Sequence, residues 1–323
     1  MEATCKGVKV ALKKIHYRHR IQIRQIREIN VLKELKHRHI VKLVGTYTQH
    51  PYLGLLLWPV AQCDLALVLK LMEMDGLYDQ SSAQEPGFLE ELAEYNLDIK
   101  GLRDIVGVRD ERIWSSFGCL TRAMAYLHEN NVRHKDIKPS NILLSRGGIW
   151  ITDFGSAKDF TADLTSTSES RERGTLRYCA PEVSSYEKSG RSADIFSLGC
   201  VFLEMMIVLS HNYTLEDVNK LLPLKNQSYE ANLDHSDQWL ALAEPTETKT
   251  QHLLDEIKQM LNHDRTRRPT AKALVLRISI MDEYNDNQQT KWLHGSCCDR
   301  ERELKVYKKR IEKLEGEQRE SRK

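Results

Sequence analysis

The chain has 323 residues, with 48 Lys and Arg against 46 Asp and Glu, a formal charge of +2, 41% hydrophobic residues, 16 Gly and 8 Pro; its mean hydropathy is −0.52. That length allows one large or two modest domains, the near-balanced charge argues against a general nucleic-acid-binding surface, and the composition excludes collagenous, low-complexity and membrane-embedded classes. The apolar run Ile195 to Leu209 carries Glu204 and is too short to span a bilayer, and the start MEATCKGVKV lacks an apolar signal core, so neither a membrane partner nor secretion is expected. Seven Cys at 5, 63, 119, 179, 200, 297 and 298 show no CxxC pairing and no disulfide density, which points to reduced thiols and a cytoplasmic or nuclear location. Adjacent Cys297 and Cys298 read as ordinary thiols rather than zinc ligands, because no second Cys/His pair lies at zinc-finger distance.

In chain order, Val8 to Ile15 alternates as a strand does, and Ile26, Ile29, Leu32 and Leu35 then recur at helical spacing. Val41 to Tyr47 and Leu53 to Val60 read as two further strands, the second too uniformly apolar to have a solvent face. Past Ala61 the periodicity turns helical: Asp64 is a good N-cap for LALVLKLM, and Ile113, Phe117, Leu120, Met124 and Leu127 form one stripe. Residues 75–110 are polar and broken by Ser81, Ser82, Pro86 and Gly87, and read as an insertion holding one short helix. Beyond about Ile280, a polar stretch leads into a charged tail in which Leu304, Tyr307, Ile311 and Leu314 make a heptad-like stripe. Two heptads fall short of a self-sufficient coiled coil, but the stripe offers a surface for a protein partner. The fold class expected is α+β: a small sheet with one helix over residues 1–60, mainly helix over 61–280 and a charged helical tail over 281–323.

The chemistry concentrates in His134-Lys135-Asp136-Ile137-Lys138-Pro139-Ser140-Asn141, followed by Ile142-Leu143-Leu144 and Asp153-Phe154-Gly155. This closely resembles the catalytic loop and DFG motif of eukaryotic protein kinases. Further motifs fall in the family's order: Val10 to Lys13 (VALK), Glu28 in the following helix, Ala180-Pro181-Glu182, the DIFSLGC segment at Asp194, and Arg268-Pro269. The resemblance covers about residues 6 to 280. It implies a bilobal kinase-like fold, ATP and Mg2+ as cofactors, and protein substrates.

Residue by residue, the resemblance makes Asp136 the group that accepts or orients the proton of the acceptor hydroxyl, and Lys138 the cation that neutralises the migrating γ-phosphate. Asn141 and Asp153 supply hard oxygen ligands for Mg2+. Lys13 takes the phosphate-binding place and Glu28 holds its ammonium; strand alternation puts Ala11, which would roof the adenine, on the side of Lys13 rather than of Lys14. Leu57 stands at the gatekeeper position, Trp58-Pro59-Val60-Ala61 stands as the hinge with Val60 as the expected donor to the purine, and Leu143 closes the pocket from below. Family hinges often carry Glu where Trp58 stands, and Pro59 removes one backbone donor. His134 and Phe154 are expected to stack in the apolar column linking the lobes, and Glu182 and Arg268 to pair as buried ions, with Asp194 also structural.

Lys138 and Thr175 match the serine/threonine type. Between the DFG and APE motifs, Thr165, Thr167 and Ser168 stand among several hydroxyl residues where relatives are switched on by phosphorylation, and Lys135 occupies the place of the usual Arg, keeping charge but not the bidentate fork. Met1 lies twelve residues before Lys13 and no GxGxxG is present, so the expectation is a truncated sequence whose start lies upstream; the alternative is a protein that works without the lid. The competing functions are accordingly an ATP-dependent Ser/Thr kinase and a pseudokinase-like scaffold. Charge balance and tail length resemble kinases of filamentous fungi.

Overall fold

A computed structural model describes residues 2–18, 20–74, 86–94, 97–107, 110–159, 176–223, 226–243, 248–283 and 292–298. Strands β1 (Glu2–Cys5), β2 (Val8–His16), β3 (Lys42–Gln49) and β4 (Tyr52–Trp58) form one antiparallel sheet in the order β1-β2-β4-β3. The expected sheet had three strands; β1 is the addition. A four-residue strand is too short to announce itself by alternation, and what creates it is the turn Lys6-Gly7, in which both residues have positive φ (48° and 80°), the backbone of a tight two-residue hairpin. The apolar β4 runs centrally, flanked on both edges, with Leu53, Leu55 and Leu57 buried. Gly54 is required there, since a Cβ would sit 2.2 Å from the Tyr47 ring lying across it.

Helix α1 (Ile23–Glu34) packs under this sheet. Of the stripe expected at Ile26, Ile29, Leu32 and Leu35, Leu32 and Leu35 are buried and Ile29 is half-buried against the core, whereas Ile26 is 47% exposed and Gln25, Glu28 and Val31 are buried in its stead. The helix is rotated toward the polar residues because Glu28 has a cation to meet across the interface, an attraction the hydrophobic period does not record.

The short strand β5 (Cys63–Asp64) leads into α2 (Leu65–Glu73), whose N-terminus is capped as expected, Asp64 Oδ1 accepting from Leu67 N at 3.0 Å. Two helices, α3 (Pro86–Glu94) and α4 (Ile99–Val106), stand where one was expected. Leu102, Ile105 and Val106 are buried; the flanking Gly101 and Gly107 mask this compact apolar face in the sequence. Helix α5 (Glu111–Glu129) buries the whole stripe from Ile113 to Leu127.

Strands β6 (Val132–Arg133), β7 (Ile142–Ser145), β8 (Gly148–Ile151) and β9 (Lys158–Asp159) lie between the sheet and the helices, β7 pairing with both β5 and β8, and β6 with β9. The helical lobe continues with α6 (Pro181–Ser184), α7 (Arg191–Ser210), α8 (Leu215–Leu221), α9 (Ser236–Leu242), α10 (Thr248–Met260) and α11 (Ala271–Glu283). The apolar run read as Ile195 to Leu209 belongs to α7, which at 20 residues is long and apolar enough to cross a membrane by length and composition; 83% of its most apolar window is buried in the protein, where it forms the centre of the core, as the Phe117–Phe202 contact at 4.8 Å illustrates. The arrangement is the expected bilobal α+β fold. The heptad stripe of the tail lies outside the described residues.

Candidate active site

Between the lobes the structure gathers residues that are far apart in sequence. Lys13 projects from β2 so that its Nζ lies 2.8 Å from Glu28 Oε1 on α1 and 2.8 Å from Asp153 Oδ1 after β8. Lys14 is exposed and Glu34 is exposed, so strand alternation selects Lys13, and rotation of α1 selects Glu28. Burial alone would lower the Lys13 pKa, but the two carboxylates outweigh it and hold the ammonium above its ordinary value. Burial likewise works to raise Asp153, and the charge and hydrogen bond of Lys13, with the Gly155 N–H, hold it below the usual carboxylate range. Asp153 adopts left-handed backbone (φ 63°, ψ 70°), a conformation disfavoured for a non-glycine residue; it aims the carboxylate at Lys13 instead of continuing the strand. Gly155 leaves the room this needs, since a Cβ there would lie 3.3 Å from Asp153 Oδ1 and 3.5 Å from Glu28 Oε2.

The loop from His134 to Asn141 presents the second group. Lys138 Nζ lies 2.9 Å from Asp136 Oδ2, and the Asn141 amide nitrogen donates to Asp136 O at 2.7 Å and to Asp136 Oδ2 at 3.0 Å. Pro139 opens a single 3-10 turn over Pro139–Asn141, which brings Asn141 back toward Asp136. Beneath the loop, His134 and Phe154 are fully buried and meet edge to face at 4.9 Å, and the His134 ring donates through Nε2 to Thr152 O at 2.8 Å.

Asp194 at the start of α7 fixes this loop from below. Its carboxylate accepts the backbone N–H groups of His134 (3.0 Å) and Lys135 (2.9 Å) and the His128 ring at 3.0 Å. Complete burial works to raise its pKa, yet those donors, His128 foremost, hold it below the usual carboxylate range. A carboxylate whose folded pKa is depressed contributes stability above its unfolded pKa of about 3.9 and loses it as pH falls through the folded value, because the unfolded state then binds the extra proton. Stability of the native chain should therefore fall more steeply below about pH 4 than that of an Asp194→Asn variant. Urea titrations across this range measure it, and equal slopes would deny the carboxylate its ionised role.

On the side expected to take adenine, Ala11 and Leu57 are register partners on β2 and β4, and Leu57 is buried. Trp58 is 39% exposed, with Lys42 Nζ at 5.2 Å from its ring centroid; Val60 and Leu143 are half-buried on the hinge and on β7. Glu182 and Arg268 form the expected buried pair, bidentate at 2.9 and 3.0 Å. Thr165, Thr167, Ser168 and Thr175 lie outside the described residues.

Sequence reading missed one partner of this site and one buried carboxylate elsewhere in the helical lobe. His128 stands on the buried stripe of α5 and reads as one more core position. Glu204 was noticed only as a blemish in an apolar run; in the structure it is a buried carboxylate that accepts from Tyr229 OH at 2.7 Å and Tyr178 OH at 3.0 Å and meets Arg177 Nε at 3.4 Å. Burial pushes its pKa up, with Arg177 opposing. A charge inside so apolar a helix was the signal, since it demands partners.

Residues 2–277 match the family model described as protein kinase domain. Similar relatives include the dual specificity protein kinase zak2 of Dictyostelium discoideum, 32% identical over 45% of this chain and 23% of its own length. The serine/threonine-protein kinase STY46 of Arabidopsis thaliana is 25% identical over 82% of this chain and 38% of its own length. The serine/threonine-protein kinase Nek10 of Homo sapiens is 30% identical over 57% of this chain and 15% of its own length. The chain thus spans well under half of these relatives, which come from a slime mould, a plant and an animal rather than from fungi alone. With its matched residues reaching from β1 into α11 and its cleft built from the family's motifs, the chain belongs to the protein kinase family.

Proposed function

We propose that the chain is a serine/threonine protein kinase that transfers the γ-phosphate of ATP to hydroxyl groups of protein substrates. The observation that carries this reading is the bridge made by Lys13 to both Glu28 and Asp153, each at 2.8 Å, because it assembles a phosphate-binding cation and a metal-binding carboxylate at one place, as phosphoryl transfer requires. Protein kinases use ATP and Mg2+ as a family, and the donor set here fits them: Asp153 and Asn141 offer a carboxylate and an amide oxygen, hard ligands of the kind Mg2+ takes, and the Asn141 nitrogen is already committed to Asp136. Held by Asp153 and Asn141, the metal would supply positive charge that offsets the charge of the phosphates.

The remaining chemistry falls to the protein's own groups. Asp136 receives or orients the proton of the acceptor hydroxyl; Asn141 holds its carboxylate in place and Lys138, beside it, offsets the charge developing on the transferred group. Ala11, Leu57 and Leu143 enclose the adenine, and the Val60 amide donates to it. Activation through Thr165, Thr167 or Ser168, with Thr175 in the same activation segment, belongs to the same reading, as does a cytoplasmic or nuclear location in which the thiols, none of them in a disulfide, stay reduced.

Incubation of the purified chain with γ-labelled MgATP and mixed acceptor proteins, followed by phosphoamino-acid analysis, tests this. Label in phosphoserine and phosphothreonine is the expected result. Label confined to phosphotyrosine would overturn the specificity, and ATP binding without transfer would favour the scaffold reading.

A further inference from the structure

None of the seven cysteines is in a disulfide, and three of them meet a histidine at one buried point. His39 lies in the connection between α1 and β3, Cys119 in the middle of α5, and Cys297 and Cys298 in a turn over Ser296–Cys298 that follows α11. His39 Nε2 is 3.1 Å from Cys298 Sγ and 3.5 Å from Cys297 Sγ; Cys119 Sγ is 3.6 Å from Cys297 Sγ and 3.8 Å from Cys298 Sγ. The four ligand atoms all lie within 4.8 Å of one another. His39, Cys119 and Cys298 are buried and Cys297 is half-buried.

We propose that His39, Cys119, Cys297 and Cys298 hold a zinc ion in a closed, four-coordinate structural site. A tetrahedron with Zn–S of about 2.3 Å and Zn–N of about 2.0–2.1 Å has S···S edges of about 3.8 Å and N···S edges of about 3.5 Å. Three edges of the cluster match these values at 3.5, 3.6 and 3.8 Å, the His39–Cys298 edge is shorter at 3.1 Å, and all four ligand atoms lie within 4.8 Å of one another. Disulfides are a poorer description, since sulfurs at 3.6 and 3.8 Å stand well outside the bonded distance of about 2.05 Å. The histidine is also prepared: Ile149 O can only accept, so its 2.9 Å contact with His39 Nδ1 places the ring proton there and leaves the Nε2 lone pair directed at the thiols. This is the outer hydrogen bond that metal-binding histidines make. Three thiolates and an imidazole are soft and borderline donors that suit zinc over Mg2+ or Ca2+, and four protein ligands leave no position open for a substrate.

The segment carrying the paired cysteines is built into place. Asp282 accepts the backbone N–H groups of Trp292 (3.1 Å) and Leu293 (2.8 Å) and pairs with the His294 ring; Leu293 O in turn accepts from Gly118 N at 2.8 Å. Gly118 is what permits that approach, since a Cβ there would fall 2.4 Å from Leu293 O. Zinc would clamp residues 292–298 to α5 and to the loop that follows the helix bearing Glu28. Linear spacing had argued against a metal at Cys297 and Cys298; two of the ligands come from other parts of the fold and leave no pattern in the sequence.

The test uses the full chain purified without chelator. Elemental analysis should find zinc equal to protein, released by a mercurial thiol reagent, and its removal should lower the melting temperature reversibly. Titration of the stripped chain with Co2+ should give thiolate charge-transfer absorption and the intense visible bands of a tetrahedral centre. Cys298→Ser should weaken Co2+ binding about tenfold or more, whereas Cys5→Ser should leave it unchanged. Absence of zinc together with no such spectrum in the unmutated chain would overturn the proposal whether or not the variants fold. A non-reducing mass showing Cys119 disulfide-bonded would overturn it equally.

Discussion

Phosphoryl transfer by an Asp136→Asn variant should fall about 10²- to 10⁴-fold, the contribution of a positioned general base, while its melting temperature stays close to that of the unmutated chain. The side chain is only partly exposed and is held by Lys138 and Asn141, and an Asn there keeps an oxygen to accept from both, so geometry survives while basicity is lost. Lys13→Met should cost transfer about 10²- to 10³-fold through lost electrostatic stabilisation, with a different signature. Its removal leaves Glu28, whose side chain is 5% exposed, without its cation, so this variant should also melt lower. Single-turnover assays beside thermal melts separate the two cases. Wild-type turnover by either variant would remove that residue from the mechanism.

Arg268→Ala should destabilise the fold by about 3–5 kcal/mol, because the partner Glu182 stays buried with its charge unmatched. Both side chains are almost wholly enclosed, and Arg268 also donates to Asn262 O, Ser192 O and His263 O and lies over the Phe196 ring at 5.0 Å. One residue thus ties α6, the start of α7 and the turn before α11 together. The melting temperature should drop by an amount of order 10 °C. Replacing both partners, Glu182→Gln with Arg268→Met, should recover part of the loss, since no uncompensated charge then remains. An Arg268→Ala melt indistinguishable from the unmutated chain would refute the role assigned to the pair.

What could be read from the residues was what local spacing encodes. Asp64 announces a cap because one side chain reaches an amide three residues on, and Asp136, Lys138 and Asn141 keep their relation because one short loop carries all three. The α5 stripe is legible because every member faces the same core. Properties that depend on where distant elements meet were not legible. The buried face of α1 is turned by Lys13, fifteen positions away, so Ile26 was wrongly assigned inward. His128 serves Asp194 across 66 positions, and the partners of Glu204 lie on two other elements. Strand β1 depends on a two-residue turn and a neighbour, since its own four residues carry too little pattern.

The bridge from Lys13 to Asp153 spans 140 positions of sequence, and this has a consequence for the chain while it folds. The hairpin of β1 and β2 can close as soon as it is made, because its ends are adjacent, but closing a loop of that length carries a large entropic cost that only the packed interface of both lobes offsets. A chain with only one lobe packed therefore lacks the interface that holds Lys13 against Asp153. The cleft in which Lys13, Glu28 and Asp153 meet is thus completed only when both lobes have docked.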